Sequence, residues 1–303
     1  MSLKSTLKKS KALVFLWQKW LNGYYATLSL LNPKWNVSRR YKQAFKKKID
    51  LKNPQTLEEK VQWLKVYDYR KNPLVRKCAD KWAVREYVKE CGCEQLLNEV
   101  YGTYDDPKQI DWASLPDRFV LKWNFGCGLN VVCKDKSQLD EKQTKKTLKK
   151  WRNNKDYLLN AEMQYACKDK KILCERFLED KSRPHGLTDF KVYCLHGEAK
   201  EVLVINDREI GVRREFFTPD WRDLEDSEKS TAPEEATSKP SCLEEMIACA
   251  EKLSKPFPFV RVDFYVVEGK LYFGEMTFTP AAGLWMSRRK VDGKDLTEFL
   301  KVK

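Results

Sequence analysis

Apolar positions recur along the chain with two different periods, and the switches between them mark its elements. Leu13, Trp17, Trp20, Tyr24 and Leu28 fall three and four residues apart, which predicts an amphipathic helix over residues 5–31 that Asn32-Pro33 ends. The run from Thr56 to Glu59 has the form of a capping box, opening a helix that turns Val61, Leu64 and Tyr67 inward. A further helix is predicted from Pro73 to Glu90, stopping near Gly92. Beyond it the period becomes two. Strands are predicted at Arg118–Trp123 and Asn130–Cys133 around a glycine turn, and at Lys171–Phe177. A basic helix, Leu139–Lys155, lies between them. Phe190–Leu195 and Glu201–Ile205 form a hairpin around His196-Gly197. Residues Arg222–Ser241, rich in Glu, Asp, Ser, Thr and Pro, read as a long solvated loop. Helix Leu243–Leu253 then leads into a last hairpin. There is no internal repeat.

That last hairpin, Phe259 to Pro280, breaks its own apolar pattern. Arg261 and Asp263 sit two apart in one strand and Glu275 and Thr277 two apart in the other, so each strand carries a polar pair on one face. With a three-residue loop, Glu268–Lys270, Asp263 faces Glu275 and Arg261 faces Thr277. A two-residue turn would set Asp263 against Gly274 instead. Opposed carboxylates repel, costing a few tenths to ~1 kcal/mol in a sheet. A hard cation such as Mg²⁺ between them reverses the sign, because it favours one or two carboxylates plus phosphate oxygens. Polar alternation on a half-exposed strand gives the same pattern without a metal.

Three earlier stretches carry related chemistry. In FVLKWNFGCGLNVV, residues 119–132, a strand delivers Lys122 to a loop holding Gly126 and Gly128. Glycines let the backbone approach an anion closely, and exposed amides with an ammonium group suit phosphate oxygens. A plain hairpin turn is the alternative, and no Gly-Lys-Ser/Thr opens a helix as in a P-loop. In ILCERFLED a strand ends in Glu175, Arg176 and Phe177, which could clasp a flat heterocycle or form an edge with an exposed Glu. In TDFKVYCLHGEAK, Asp189 and Lys191 share a strand face, as a site or as a solvated charge pair.

Composition and charge narrow the classes. Hydrophobic residues at 42% with 12% aromatics in 303 residues indicate a globular chain with a sizeable core. No apolar run approaches the ~20 residues of a membrane span, and Ala12–Trp17 lacks a signal-peptide cleavage pattern, so a cytoplasmic protein is expected. Ten irregularly spaced cysteines and only two histidines give no zinc signature and imply reduced thiols. No Ser-His or Cys-His constellation appears. The net charge of +14 is unevenly placed: twelve of the 58 basic residues precede Asp50 and none of the 44 acidic ones does. That basic stripe either lies on an anionic membrane or caps the body. No nucleic-acid motif accompanies it.

In this order, the four stretches resemble the ATP-grasp superfamily. More narrowly, YKQAFKKKIDLKNPQTLEEKVQWLKVYD, ADKWAVREYV and FPFVRVDFYVVEGKLYFGEMTFTPAAG are similar to the TupA-like ATP-grasp proteins, associated with bacterial surface polysaccharides, from about Arg40 to Gly283. The resemblance implies two α+β lobes clasping ATP, with an extra N-terminal helical segment. It divides the chain into residues 1–50, a basic amphipathic segment; 51–117, a helical region; 118–182, the small lobe; and 183–303, the large lobe. It implies that Lys122 holds ATP phosphates under the loop bearing Gly126 and Gly128. Glu175 would accept from the adenine amino group, with Arg176 and Phe177 forming the hinge. Asp189 would meet the ribose, and Lys191 the triphosphate. Asp263, Glu275 and Thr277 would bind Mg²⁺, with two ions expected, and Arg261 would stabilise the transferring phosphoryl group. Thr277 stands where many members have Asn, while Phe125 and Cys127 stand in place of the family's His and Ser, and Leu129 in place of Gly.

The implied reaction is ATP-dependent joining of a carboxylate and an amine through an acyl phosphate, on a uronic-acid or amino-acid unit of a surface glycan. Arg208, Arg213 and Arg214 would clamp the substrate carboxylate, or stand as solvated surface arginines. A kinase, a glycosyltransferase-like enzyme and a non-catalytic ATP binder are the alternatives. The expected location is cytoplasmic, at the inner membrane face through residues 1–50.

Overall fold

In the computed structural model, which describes residues 11–183, 185–206, 209–224, 237–284 and 290–302, Asn32-Pro33 closes one helix and opens another. Helix α1 (Lys11–Leu31) ends as expected, but α2 (Pro33–Phe45) starts at once. Asn32 caps it by accepting from the Lys34 amide at 3.1 Å. Pro33 costs nothing there, since its missing N–H would be an orphan at the first helical position. Only one side of α1 meets the body. Tyr25 and Ser29 are buried, and Ser29 Oγ donates to the Leu158 carbonyl at 2.5 Å. Buried Asn36 of α2 donates to Tyr25 O at 2.9 Å and to Ser29 Oγ at 2.7 Å. The Leu13–Leu28 stripe is therefore not the packing face. No helix among the described residues is long and apolar enough to cross a membrane.

The expected capping box is present: Thr56 and Glu59 open α3 (Leu57–Leu64), burying Val61 and Leu64. A π-helical turn, Lys65–Tyr69, follows, and its extra residue passes the next buried position to Tyr69 and leaves Tyr67 at the surface. The single helix expected over 73–90 is two helices, α4 (Pro73–Ala79) and α5 (Val84–Glu90). Asp80 makes the break. Its backbone is extended, and its Oδ1 accepts from the Trp82 and Ala83 amides at 2.8 and 3.0 Å, a cap that outcompetes the helix interior.

The first sheet has order β1-β4-β2-β3, all antiparallel, from β1 (Val100–Tyr104), β2 (Phe119–Trp123), β3 (Asn130–Cys133) and β4 (Ile172–Arg176). Strand β1 lies in a region read from sequence as helical. It is a short edge strand with an irregular register between Val100 and Gly102, so it lacks a clean alternation. Phe119, Leu121 and Trp123 point to the core formed with Leu148 of α6 (Glu141–Trp151), where the Trp123 indole donates to the Leu148 carbonyl at 3.1 Å. Alternation then sends Val120 and Lys122 to the other face.

The second sheet has order β7-β6-β5-β8-β9, built from β5 (Asp189–Leu195), β6 (Glu198–Asn206), β7 (Arg213–Phe217), β8 (Phe259–Val267) and β9 (Lys270–Thr277). Val192, Cys194, Val260 and Val262 pack on α7 (Leu243–Ser254), through Met246, Ala250 and Leu253. Asp189, Lys191, Arg261 and Asp263 therefore share the opposite face. Of the loop expected over residues 222–241, positions 225–236 lie outside the described residues.

Strands β8 and β9 pair Asp263 with Glu275 and Arg261 with Thr277, as anticipated, but by a different route. The turn has two residues, Glu268 and Gly269, both at positive φ (51° and 78°), and sets Val267 opposite Lys270. That turn alone would put Asp263 opposite Gly274. A bulge between Asp263 and Phe264 absorbs Gly274 and restores the pairing. A Cβ at Gly274 would lie 2.9 Å from the Asp263 carbonyl oxygen, so the bulge requires glycine. Gly274→Ala is expected to cost roughly 1–3 kcal/mol, the usual range for overpacking, and urea unfolding measures it. A midpoint unchanged from wild type would show that the bulge tolerates a side chain.

After β9, Ala281 and Ala282 both adopt left-handed backbone conformations (φ 48° and 57°). Gln62 Nε2 donates to the Ala282 and Gly283 carbonyls at 2.9 and 2.8 Å, and Lys65 Nζ to Ala282 O at 2.9 Å. Backbone held in so sparse a region persists only where its surroundings overdetermine it. Burial pulls the Lys65 ammonium down to about 8, with Glu162 opposing and Arg40 reinforcing the shift. Between that value and the ordinary 10.5 the unfolded chain binds a proton that the folded one does not, so stability rises with pH. From about pH 8 to about pH 9.5 the wild type is expected to gain roughly 1–2 kcal/mol relative to Lys65→Met. Parallel urea curves across that window would refute it.

Candidate active site

The two sheets face each other across a cleft of about 370 Å³. Lys122, Glu175, Arg176 and Phe177 line it from the first sheet and Tyr265 and Glu275 from the second. Strand β2 delivers Lys122 and β4 delivers Glu175, and their ammonium and carboxylate groups lie 2.7 Å apart. Strand β4 ends at Arg176, whose amide donates to the Glu99 carbonyl at 3.0 Å and whose carbonyl accepts from Asn98 Nδ2 at 2.8 Å. Its guanidinium reaches across to the Tyr272 hydroxyl at 2.6 Å, tying the two sheets at the cleft edge. Phe177 carries the Arg118 guanidinium over its ring at 4.6 Å.

Between β2 and β3 runs the glycine loop. Gly126 and Gly128 have φ of 73° and 68°, a region few other residues adopt. Phe125 and Leu129 have a structural role in this loop. Phe125 is buried against Trp123, with ring centroids 5.5 Å apart, and Leu129 is buried so close to Gly126 that a Cβ there would lie 2.7 Å from Leu129 Cδ1. Both side chains anchor the loop inward, and Cys127 is left exposed at its tip. The ten cysteines are free thiols in the structure.

On the face of the second sheet that bears Tyr265 lies a charge cluster on β5, β8 and β9; Glu275 lines the cleft, while Asp189, Lys191, Arg261 and Asp263 share the face without lining it. Asp263 is 2% exposed, and both of its oxygens are engaged: Arg261 donates to them from Nε at 2.6 Å and from a terminal nitrogen at 2.7 Å, and Lys191 Nζ lies 2.6 Å away. Burial alone would raise this carboxyl, but Arg261 and Lys191 outweigh it and hold it below the ordinary range. Lys191 is also 3.5 Å from Asp189. Arg261 further donates to Thr277 Oγ1 at 3.2 Å, and Thr277 to Glu275 Oε1 at 3.4 Å. The side chain of Glu275 is 43% exposed. Among the described residues no group of three or more His, Cys, Asp and Glu side chains could hold a metal by itself. The donor set fits Mg²⁺, which takes one or two carboxylates and completes its shell with water and phosphate oxygens. Glu275 is the accessible oxygen donor, and Asp263 would have to exchange a cation for the metal.

One residue here escaped the sequence reading. Lys81, in the break between α4 and α5, donates from Nζ to the Gly126 carbonyl at 2.7 Å and lies 3.7 Å from Glu275 Oε2. Its amide donates to the Asn124 carbonyl at 2.8 Å, while Asp80 Oδ2 accepts from Asn124 Nδ2 at 2.6 Å. The Asp80-Lys81 pair thus grips both ends of the glycine loop's first half. Lys81, Lys191 and Arg261 balance Asp189, Asp263 and Glu275 charge for charge.

Arg213 and Arg214 do not line this cleft. Arg208 lies outside the described residues. Arg214 pairs with Ile205, which pairs with Asp189, so it shares the cleft face but stands two strands from Asp189, ~10 Å away. Arg213 points to the opposite face, 3.4 Å from Glu215.

A lysine–glutamate pair and a glycine loop on one sheet thus meet Tyr265 and Glu275 of the other across the cleft. The sequence matches the family model TupA-like ATPgrasp over residues 59–299, and the chain belongs to that family. No curated protein matches it. Solved structures similar to it include an N5-carboxyaminoimidazole ribonucleotide synthetase in complex with ADP, at 13% identity and a TM-score of 0.44, covering 73% of this chain and 50% of that one. D-alanine–D-alanine ligase from Bacillus anthracis complexed with ATP is 14% identical with a TM-score of 0.41, covering 66% and 53%. The ATP-grasp ligase PsnB complexed with a minimal precursor is 11% identical with a TM-score of 0.41, covering 79% and 67%. The chain spans about half the length of the first two.

Proposed function

We propose that the protein is an ADP-forming carboxylate–amine ligase acting on a uronic-acid or amino-acid unit of a bacterial surface polysaccharide. The observation that carries the chemistry is Glu275 lining the cleft together with Lys122, with Arg261 and Lys191 gathered around Asp263 on the same face of the second sheet. Family membership supports the glycan substrate. ATP, when bound, supplies the phosphoryl group that activates the acid, and Mg²⁺ neutralises charge on its phosphates. Lys122 and Lys191 hold phosphate oxygens, the amides around Gly126 and Gly128 close over them, and Arg261 stabilises charge developing on the transferring group. Glu175, Arg176 and Phe177 seat the base, and Asp189 meets the ribose. Glu275 and Asp263 would hold the metal, with Thr277 as a neutral oxygen donor. The amine then attacks the acyl phosphate, forming the amide and releasing phosphate. This reaction needs positioned charge and no side-chain nucleophile. The same reading gives a cytoplasmic enzyme.

Coupled ADP release, screened over uronic and amino acids with hydroxylamine as the trapping amine, tests this function. ADP and hydroxamate should appear together with the correct acid. ADP release that depends on a hydroxyl acceptor and gives no hydroxamate would show a kinase instead. Lys81→Met is expected to raise the KM for ATP roughly tenfold, ~1.4 kcal/mol of binding, because the loop loses its tie at Gly126. An unchanged KM would remove Lys81 from the site.

A further inference from the structure

The aromatic stripe of α1 faces away from the body and leads into a basic groove. Trp17 stacks on Trp20 with centroids 5.0 Å apart, and Trp20 on Tyr24 at 5.7 Å. Tyr24 and Leu28 then form one wall of a groove of about 550 Å³ between α1 and α2, completed by Trp35, Arg39, Lys42 and Lys48. Around this ladder, Phe15, Leu16 and Trp17 are 54–60% exposed and Leu30 and Leu31 66–72%. Single exposed apolar residues need no explanation, but a contiguous patch of this kind marks an interaction surface.

The hairpin carrying the patch is held firmly. The Tyr25, Ser29 and Asn36 contacts fix one side, and Arg40 Nε donates to the Leu159 carbonyl at 3.0 Å while its guanidinium lies 3.6 Å from the Tyr25 ring centre. The ladder is therefore displayed on a docked support. Its charge is all of one sign: no acidic residue precedes Asp50, and Arg39, Lys42 and Lys48 have no carboxylate partner among the described residues. Lys19 lies over the Phe15 ring at 4.7 Å and Arg39 over the Tyr24 ring at 5.1 Å, so cations and rings form one mixed surface.

We propose that this hairpin docks on an anionic phospholipid bilayer, with the Trp17–Trp20 ladder at headgroup depth and a lipid phosphate held in the groove by Arg39, Lys42 and Lys48. Indole rings settle at the membrane interface because they are apolar with a polar tip. Basic side chains beside them gain from the negative surface potential. A second copy of the chain would meet this face with cations of its own, and the apolar residues at 13–16 have no use in holding nucleic acid. The proposal is independent of the ligase reading, since vesicle binding can be present in an inactive protein and absent from an active one.

The experiment is co-sedimentation of the full chain with vesicles of phosphatidylglycerol mixed with phosphatidylcholine, and of phosphatidylcholine alone. Binding is expected only to the anionic vesicles, with at least a tenfold loss at high salt and a blue shift of tryptophan emission. The double variant Trp17→Ala/Trp20→Ala should bind at least tenfold more weakly, with unchanged circular dichroism because both side chains are solvent-facing. Arg39→Gln/Lys42→Gln should bind anionic vesicles at least tenfold more weakly and leave residual binding less sensitive to salt. Equal binding to both vesicle types, or variants that bind as wild type does, would overturn the proposal. So would absence of vesicle binding, whether alongside tight binding to an oligonucleotide or alongside a dimer in light scattering that the tryptophan variant dissociates.

Discussion

Asp263→Asn is expected to lower turnover at least a thousandfold, ~4 kcal/mol in the activation barrier, and also to destabilise the fold by roughly 3–5 kcal/mol. Both effects come from one arrangement. The carboxylate is buried with Arg261 bound to both of its oxygens and Lys191 2.6 Å away. An amide leaves a buried ammonium and a half-buried guanidinium facing a neutral group, with Asp189 at 3.5 Å from Lys191 as the remaining carboxylate contact of that ammonium. From the strand pairing alone, this substitution would be expected to leave the fold intact; the burial of the cluster changes that expectation. Urea unfolding and ADP release, measured on the same preparation, check the two parts. A stable variant that still turns over would show that Asp263 neither holds the cluster together nor serves the reaction.

Glu275→Gln separates chemistry from stability. Its side chain is 43% exposed, 3.7 Å from Lys81 and a weak acceptor for Thr277 at 3.4 Å. Surface groups of this kind change stability by less than ~0.5 kcal/mol. Mg²⁺, however, binds a carboxylate far better than an amide, so turnover is expected to fall at least a hundredfold, ~2.7 kcal/mol, with the unfolding midpoint unchanged. If the variant keeps more than about a tenth of the wild-type rate, a loss below ~1.4 kcal/mol, Glu275 is not a metal ligand.

Residue patterns governed by neighbours in the chain could be read directly. The capping box at Thr56–Glu59, the strands carrying Lys122 and Glu175, and the i, i+2 polar pairs of the last hairpin all follow from local period and local chemistry. The pairing of Asp263 with Glu275 was legible, while its cause was not: the turn is one residue shorter than the pairing implied, and a bulge at Gly274 makes up the difference. A glycine inside an otherwise regular strand was the available signal. Lys81 was legible only as part of a helix, because its partners Gly126 and Glu275 lie 45 and 194 positions further along the chain. The side of α1 that packs was equally hidden. Tyr25 and Ser29 are a less apolar face than the tryptophan stripe, and hydrogen bonds to Leu158 from Ser29 and Asn36 decide it. Arg213 and Arg214 follow each other in a strand whose existence the sequence did not reveal, so their opposite orientations could not be seen.

The most direct test of the central claim is calorimetric titration of ATP into the wild type with and without Mg²⁺, repeated for Lys122→Ala and Glu275→Gln. The account predicts ATP binding that Mg²⁺ strengthens at least tenfold in the wild type. Lys122→Ala should weaken binding under both conditions, and Glu275→Gln should abolish the Mg²⁺ gain. ATP binding that is absent, or that neither substitution alters, would contradict it.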